Sequence, residues 1–389
     1  STVRTYLKAI YYVSEKANDL IASTGFAVLT PGSSVNPKFV SYYVQSDPFT
    51  EQVTAHSVGI AYPAIAETRL GRFGIPLPPL PEQHAIARFL DHIDGRINRT
   101  IRAKRKLIAL LNEQKQAIIH RAVTRGLDPD VALRPSGVEW LGDIPEHWEA
   151  VRLGHHIDLL TGFPFKSEGF SQDSQDIRLL RGINVALGLV RWSKVVYWPI
   201  RQREGFSDYE LQVGDIVLGL DRPVIQGGVR VAVVSDADVP SLLLQRVARV
   251  RPHHQLAPDF LVLLLTGKSF THYLAPIFTG ISVPHLSPEQ VRSFQFALPS
   301  LDEQYQIVER LAMDVKGLEI AITQIQREID LLREYRTRLI ADVVTGKLDV
   351  RAAAAGLPEG LAAGEEWAAE ESAEWDEAAE PMDAEEILG

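Results

Sequence analysis

Leu77-Pro78-Pro79-Leu80-Pro81-Glu82-Gln83 returns 221 residues later as Leu298-Pro299-Ser300-Leu301-Asp302-Glu303-Gln304. From there residues 77–128 align with 298–349 without a gap. At the far end Ala122-Val123-Thr124-Arg125-Gly126-Leu127-Asp128 answers Val343-Val344-Thr345-Gly346-Lys347-Leu348-Asp349, and Leu110-Leu111 answers Leu331-Leu332. The same offset runs upstream: Pro37 and Phe39 pair with Pro258 and Phe260, Phe49-Thr50 with Phe270-Thr271, Gly59 with Gly280, and Pro63 with Pro284. One register kept over so many positions marks a duplicated unit, with a period far too long for a solenoid.

Each copy ends in a long helical pattern. In the second, Leu311, Val315, Leu318, Ile322, Ile325, Ile329 and Leu332 alternate at spacings of four and three, and Leu339 and Val343 carry the stripe past Arg336. The first copy keeps Leu90, Ile97, Ile101, Ile108, Leu111 and Ile118 in phase, with Asp94, Lys104 and Lys115 in place of the other apolar members. Such a stripe is a coiled-coil seam, and two in one chain bury each other most economically. Spacer-helix packing is therefore assigned to Ile97, Ile101, Ile108, Leu111, Leu318, Ile322, Ile325, Ile329 and Leu332. A helix of roughly 43 residues spans on the order of 65 Å, more than the 34–36 Å between successive major-groove half-sites.

The expected fold class is mixed α/β, with globular domains separated by two long antiparallel helices. The boundaries are a partial first domain over 1–80, a first helix over 81–126 and a linker over 127–147. A complete second domain over 148–300 and a second helix over 301–348 follow, then an acidic tail over 349–389, expected to be disordered. Strand-like runs in the second domain include 216–218, 229–234 and 247–250, and a buried helix is expected from Pro258 to about Leu274. Because Ser1 corresponds to Arg222, the first copy lacks the counterpart of roughly 148–221; the start is either a fragment or a naturally short form.

Composition narrows the class. Of 50 acidic residues among 389, twelve lie between Gly356 and Gly389, a stretch with no Lys or Arg. The remaining 38 nearly balance 40 basic residues, so the net charge of −10 belongs to the tail. Net charge thus excludes no nucleic-acid partner. With no cysteine there are neither disulfides nor thiolate metal sites. No apolar run reaches transmembrane length and no export signal opens the sequence, so a cytoplasmic location and no membrane partner are expected.

The Leu-Pro-x-x-x-Glu-Gln openings of both helices resemble the DNA specificity subunit of type I restriction–modification enzymes. So do Ser136-Gly137-Val138-Glu139-Trp140-Leu141-Gly142-Asp143-Ile144-Pro145-Glu146-His147-Trp148, Gly214-Asp215-Ile216-Val217-Leu218 with Asp221-Arg222-Pro223, and Gly280-Ile281-Ser282-Val283-Pro284-His285-Leu286. The resemblance covers about residues 1–350 and implies a non-catalytic subunit. It implies two target-recognition domains, each reading half of a split site in double-stranded DNA, and antiparallel helices that form the spacer. Methyltransferase subunits would dock on the helices and recognition domains, with a restriction and translocation subunit joining for cleavage in phage defence. Cofactors are expected only in those partners: S-adenosylmethionine, ATP and Mg. The chain departs from the pattern in its incomplete first domain, and self-association of two short chains on a symmetric site is one expectation that follows. A coiled-coil scaffold that never touches DNA is the alternative.

In the second domain the candidate DNA-contacting residues lie on three loops, 161–167, 181–184 and 221–228, and between them. Arg181, Asn184, Arg222 and Gln226 have the bidentate geometry that reads guanine or adenine. Lys166, Arg191, Lys194 and Arg230 suit phosphates, which position without specifying. The bland reading of each is an ordinary surface charge. Between Arg88 and Arg125 there are ten Lys or Arg and three acids; Arg96, Arg99, Arg102, Lys104, Arg105 and Lys106 either lie near phosphates or a partner, or form a solvated face. Trp192 and Trp198 are assigned to core rather than base stacking. Gly280, Ser282 and Pro284 are read as a tight turn.

Enzyme-like signals fail. Asn36-Pro37-Lys38-Phe39 is similar to an adenine-methyltransferase motif, but its copy Ala257-Pro258-Asp259-Phe260 lacks the Asn, so a helix start explains both. Glu113-Gln114-Lys115 lies in mid-helix, and no phosphate-binding loop occurs. His155-His156 and His253-His254 are adjacent pairs that cannot both face one metal from a strand.

Overall fold

The computed structural model of the protein describes residues 1–3, 5–13, 21–59, 63–225, 228–278 and 284–357. Gln226, Gly280, Ser282 and the acidic residues from Glu359 onward, all singled out by the sequence, lie outside the described residues. Among those described, helices run in the order α1 (Pro37–Gln45), α2 (Asp47–Ala55), α3 (Glu67–Leu70), α4 (Leu80–Arg125), α5 (Pro258–Thr266), α6 (Lys268–Phe278), α7 (Pro288–Ser293), α8 (Leu301–Val344) and α9 (Arg351–Ala355). The strands lie between α4 and α8: β1 (Leu133–Pro135), β2 (Asp143–Pro145), β3 (Glu149–Arg152), β4 (Ile157–Thr161), β5 (Ile177–Leu180), β6 (Tyr197–Trp198), β7 (Ile216–Gly219), β8 (Val224–Ile225), β9 (Gly228–Val229), β10 (Val231–Val233), β11 (Ser241–Leu243), β12 (Val247–Pro252) and β13 (Gln295–Leu298).

The chain forms two compact units, and their limits cut across the sequence repeat. Among the described residues one comprises residues 1–109 with 322–357, the other 110–321. Each unit therefore holds one end of α4 and one end of α8.

The first unit packs α1 and α2 around Phe39, Tyr43 and Phe49 onto Ile86 and Leu90 of α4 and onto Leu339, Ile340, Val343 and Val344 of α8. Asn36 caps α1, its Oδ1 accepting from Phe39 N at 3.0 Å, with Pro37 in the first turn. A cap and a preset φ are what this Asn-Pro pair supplies. The expected tail begins later than residue 349, because Val350 and Ala354 are buried at α9.

In the second unit an antiparallel sheet of order β10-β7-β12-β4 forms the centre. A smaller sheet of order β11-β5-β6, with β11 parallel to β5, forms a second layer. β7 reads Ile216-Val217-Leu218-Gly219 and is buried throughout, as a continuously apolar central strand should be. The helix expected from Pro258 is two, α5 and α6, bent by 46° at Gly267. A Cβ at Gly267 would sit 2.7 Å from the Leu263 carbonyl oxygen, so the chain turns there on a glycine. Among the described residues no single helix is long and apolar enough to cross a membrane. The α5–α6 pair is apolar because Phe260, Leu261, Leu264, Leu265, Phe270 and Leu274 fill the core beside Trp148 and Phe294.

The seam between the long helices is antiparallel within each unit, and the three polar interruptions of the first stripe explain themselves. In the first unit Asp94 binds Arg336 and Lys104 binds Glu328; in the second, Lys115 Nζ lies 2.5 Å from Glu319. Each residue that breaks the apolar pattern of α4 meets an opposite charge on α8. Around these pairs Ile97, Ile101, Ile325 and Ile329 are buried, and Ile108, Leu111, Leu318, Ile322 and Leu332 half-buried.

Candidate DNA-reading face

Both helix-opening motifs perform the same structural task. In the first unit the Gln83 side chain is buried; its Oε1 accepts from Asn36 N at 2.7 Å and its Nε2 donates to Pro78 O at 2.8 Å and Ser34 O at 3.3 Å. In the second, buried Gln304 accepts from Ala257 N at 2.8 Å and donates to Gln255 O at 2.9 Å and Pro299 O at 3.1 Å. All four pairs of positions obey the sequence offset. A primary amide has one acceptor and two donors in a plane, so a single glutamine satisfies three backbone groups and ties the preceding segment to the helix start.

The Ser136–Trp148 signature anchors the domain between α4 and α8 to α8. Trp148 is fully buried and donates its indole N–H to Glu303 Oε2 at 2.9 Å, while Trp140 donates to Gln295 O at 2.9 Å. Gly126 closes α4 at φ +73° against the Trp148 ring.

The remaining signatures, far apart in sequence, are adjacent. Asp221 accepts from His285 Nδ1 at 2.6 Å and pairs with Arg246 at 3.1 Å. Arg222 N donates to Pro284 O at 2.7 Å and Leu286 N to Leu220 O at 2.8 Å. Asp215, buried, accepts from Arg251 and from Gln212 N. Asp221 holds the chain where the β8–β9 hairpin leaves the sheet, and Asp215 the opposite end of β7.

The candidate DNA contacts separate into exposed cations and internal locks. Lys166, Arg191 and Lys194 are exposed and Arg222 is half-exposed, with φ of +43°. Asn184 corrects the sequence reading. Its side chain is buried, accepts from Arg181 N at 3.1 Å and donates to Arg191 O at 2.8 Å, so it closes a turn and has no edge left for a base. Arg230 is corrected likewise: its guanidinium donates to the carbonyls of Val185, Gly182 and Asp221, which locks the hairpin base to the 182–185 turn. Arg181 is half-buried and donates to Lys194 O at 2.7 Å.

Loop 161–167 is held by its aromatics. Phe163 and Phe165 pack with Trp198, Phe206 and Tyr209, ring centroids 4.7–5.4 Å apart for most pairs, leaving Lys166 outside. Trp198 is core, and Trp192 is half-buried with its N–H on Asp238 Oδ1 at 2.8 Å and Arg178 stacked over the ring at 4.5 Å. The sequence placed Gly162 in this loop without giving its packing task. An added Cβ there would lie 2.1 Å from Leu244 O, so the loop approaches the β11–β12 connection in a way only glycine permits. On α4, Lys104 is spent on Glu328, while Arg96, Arg99, Arg102 and Lys106 are exposed.

Residues 6–108 and 197–331 match the family described as type I restriction modification DNA specificity domain. The chain belongs to that family. The MjaVIII specificity subunit of Methanocaldococcus jannaschii, a type I restriction enzyme component, is 30% identical over 294 residues, which cover 75% of this chain and 66% of the relative. The EcoAI specificity subunit of Escherichia coli is 38% identical over 170 residues, covering 43% of this chain and 28% of that protein. The aligned part thus spans less than two thirds of either relative's length. A chain from a solved structure of complex assembly and conformational transition of a type I R-M system superposes with a TM-score of 0.52 at 20% identity, covering 81% of this chain and 72% of that one, and shares the fold. The specificity-domain match falls on both copies of the repeat, and each matched segment contains one glutamine clamp.

Proposed function

We propose that the chain is the non-catalytic, sequence-reading subunit of a type I restriction–modification complex. The carrying observation is the specificity-domain match to both halves of the repeat. The domain between α4 and α8 reads one half of a bipartite site in double-stranded DNA, and the domain around α1 and α2 contributes to the other. Lys166, Arg191 and Lys194 neutralise phosphates, and Arg222 and Arg181 face base edges; Gln226 joins them by its place in the 221–228 loop. The two long helices set the gap between half-sites and dock methyltransferase subunits, with a restriction and translocation subunit joining for cleavage. S-adenosylmethionine, ATP and Mg act in those partners, inside the cell where the DNA is.

Replacing residues 148–297 with the segment of another family member tests the reading. Co-expressed with the methyltransferase subunits, the chimera is expected to methylate sites altered in one half only, as mapped across the host genome. A change in both halves, or in neither, overturns the modular assignment.

A further inference from the structure

The β8–β9 hairpin carries an unusual surface. In a short strand one side chain normally turns inward and the next outward. Val224 and Ile225 are each 41% exposed, so both positions of β8 present β-branched aliphatics to solvent. Their register partners are buried Val229 and Gly228. Leu187, on the neighbouring loop, lies 3.6 Å from where a Gly228 Cβ would be, and Ile183, Leu187 and Leu189 of that loop are 38–46% exposed. A grouped set of exposed aliphatics marks an interaction surface.

The base of this hairpin is held firmly. Arg230 N donates to Pro223 O at 2.7 Å, and the Arg230 guanidinium binds the carbonyls of Gly182 and Val185. Arg222 N is bonded to Pro284 O, and Asp221 is clasped by His285 and Arg246. The result is a two-stranded ribbon with a fixed root, a cation at Arg222 and an apolar flank. The B-DNA major groove admits a two-stranded ribbon, and the one apolar feature on its floor is the thymine 5-methyl group.

We propose that Val224 and Ile225 read thymine methyl groups, so that the half-site bound by this domain contains at least one A·T pair recognised by apolar contact. The inference rests on the DNA-reading role above. Charge supports DNA over a protein occupant: the ribbon leaves the sheet beside Arg222, and Lys166, Arg191 and Lys194 are exposed on the same domain. The carboxylate at the ribbon's root, Asp221, is neutralised by its partners.

The test uses the full chain assembled with its methyltransferase subunits and duplexes bearing the half-site identified by the chimera. Replacing thymine by deoxyuridine at each position of that half-site removes one methyl. At one or more positions this is expected to weaken binding about fourfold, the worth of one buried methyl-sized group. In the Val224→Ser/Ile225→Ser variant that discrimination is expected to vanish, while preference at the other positions and assembly persist. Ile225→Ser alone, with an unchanged melting temperature, guards against misfolding of the double variant. Equal binding of thymine and deoxyuridine duplexes overturns the proposal, as does discrimination that survives in the variants. A half-site of G·C pairs alone overturns it too. Loss of subunit assembly with DNA preference intact assigns the surface to a protein partner instead. A complex that selects no sequence at all refutes the DNA-reading role itself, a result distinct from all of these.

Discussion

Gln83 and Gln304 illustrate how one side chain organises a long segment. Each satisfies three backbone groups at a helix start, and leaving a buried one unpaired costs about 1–3 kcal/mol. Gln304→Ala is expected to lower stability by about 2–4 kcal/mol in denaturant unfolding, and Gln304→Glu by a similar amount because the carboxylate loses both donors. Arg222 sits in the left-handed region, which disfavours residues with a Cβ by about 1–2 kcal/mol. Arg222→Gly relieves that strain and removes the cation. Stability is expected to stay within about 1 kcal/mol while DNA affinity falls at least fivefold, a split that unfolding and binding measured side by side will show. The histidines set the pH response. Burial first, and neighbouring cations second, hold His120 and His156 below their ordinary pKa of 6.5; for His120 those cations are Lys268, Arg125 and His272. As pH falls through about 6.5 the unfolded chain takes up protons that the folded chain resists, so stability declines on acidification. A lower melting temperature at pH 5.5 than at pH 7.5 is expected, with a smaller difference in His156→Gln.

At the scale of elements, the helix seam is a mixture of apolar contact and matched charge. Asp94 and Arg336 are 14% and 19% exposed, so removing either takes the opposite charge from a largely desolvated partner. Asp94→Leu or Arg336→Leu alone is expected to cost about 1–3 kcal/mol, whereas Asp94→Leu with Arg336→Leu restores the stripe and comes near neutral. A double-mutant cycle in urea measures the coupling. Such pairs fix which residues face each other, because a shift by one heptad sets Lys104 and Lys115 opposite different residues. The apolar stripe was legible in the sequence; the reason for its interruptions was not, because a charge partner over 200 residues away leaves no local signature.

For the whole molecule, the proposed spacer has a measurable consequence. Inserting one heptad into each long helix at matched positions lengthens each by about 10.5 Å, or about three base pairs. The gap in the methylated sequence is expected to grow by that amount with both half-sites unchanged. An unaltered gap would show that the helices do not set it. Each compact unit includes one end of α4 and one of α8 in its own core.

Periodicity and the 221-residue offset determined the long helices and the duplicated plan, because these follow from patterns that recur along the chain, while the family followed from the motifs that resemble it. They also placed the motifs that prove to be anchors, without saying what each residue holds. Tertiary structure decided which polar residues remain available. Asn184 and Arg230 carry the functional groups of base and phosphate contacts, yet both are consumed by backbone carbonyls and amides brought near by folding. Val224 and Ile225 look like core and are exposed. A side chain's chemistry is written in its residue type, but its availability depends on neighbours that only three-dimensional packing supplies.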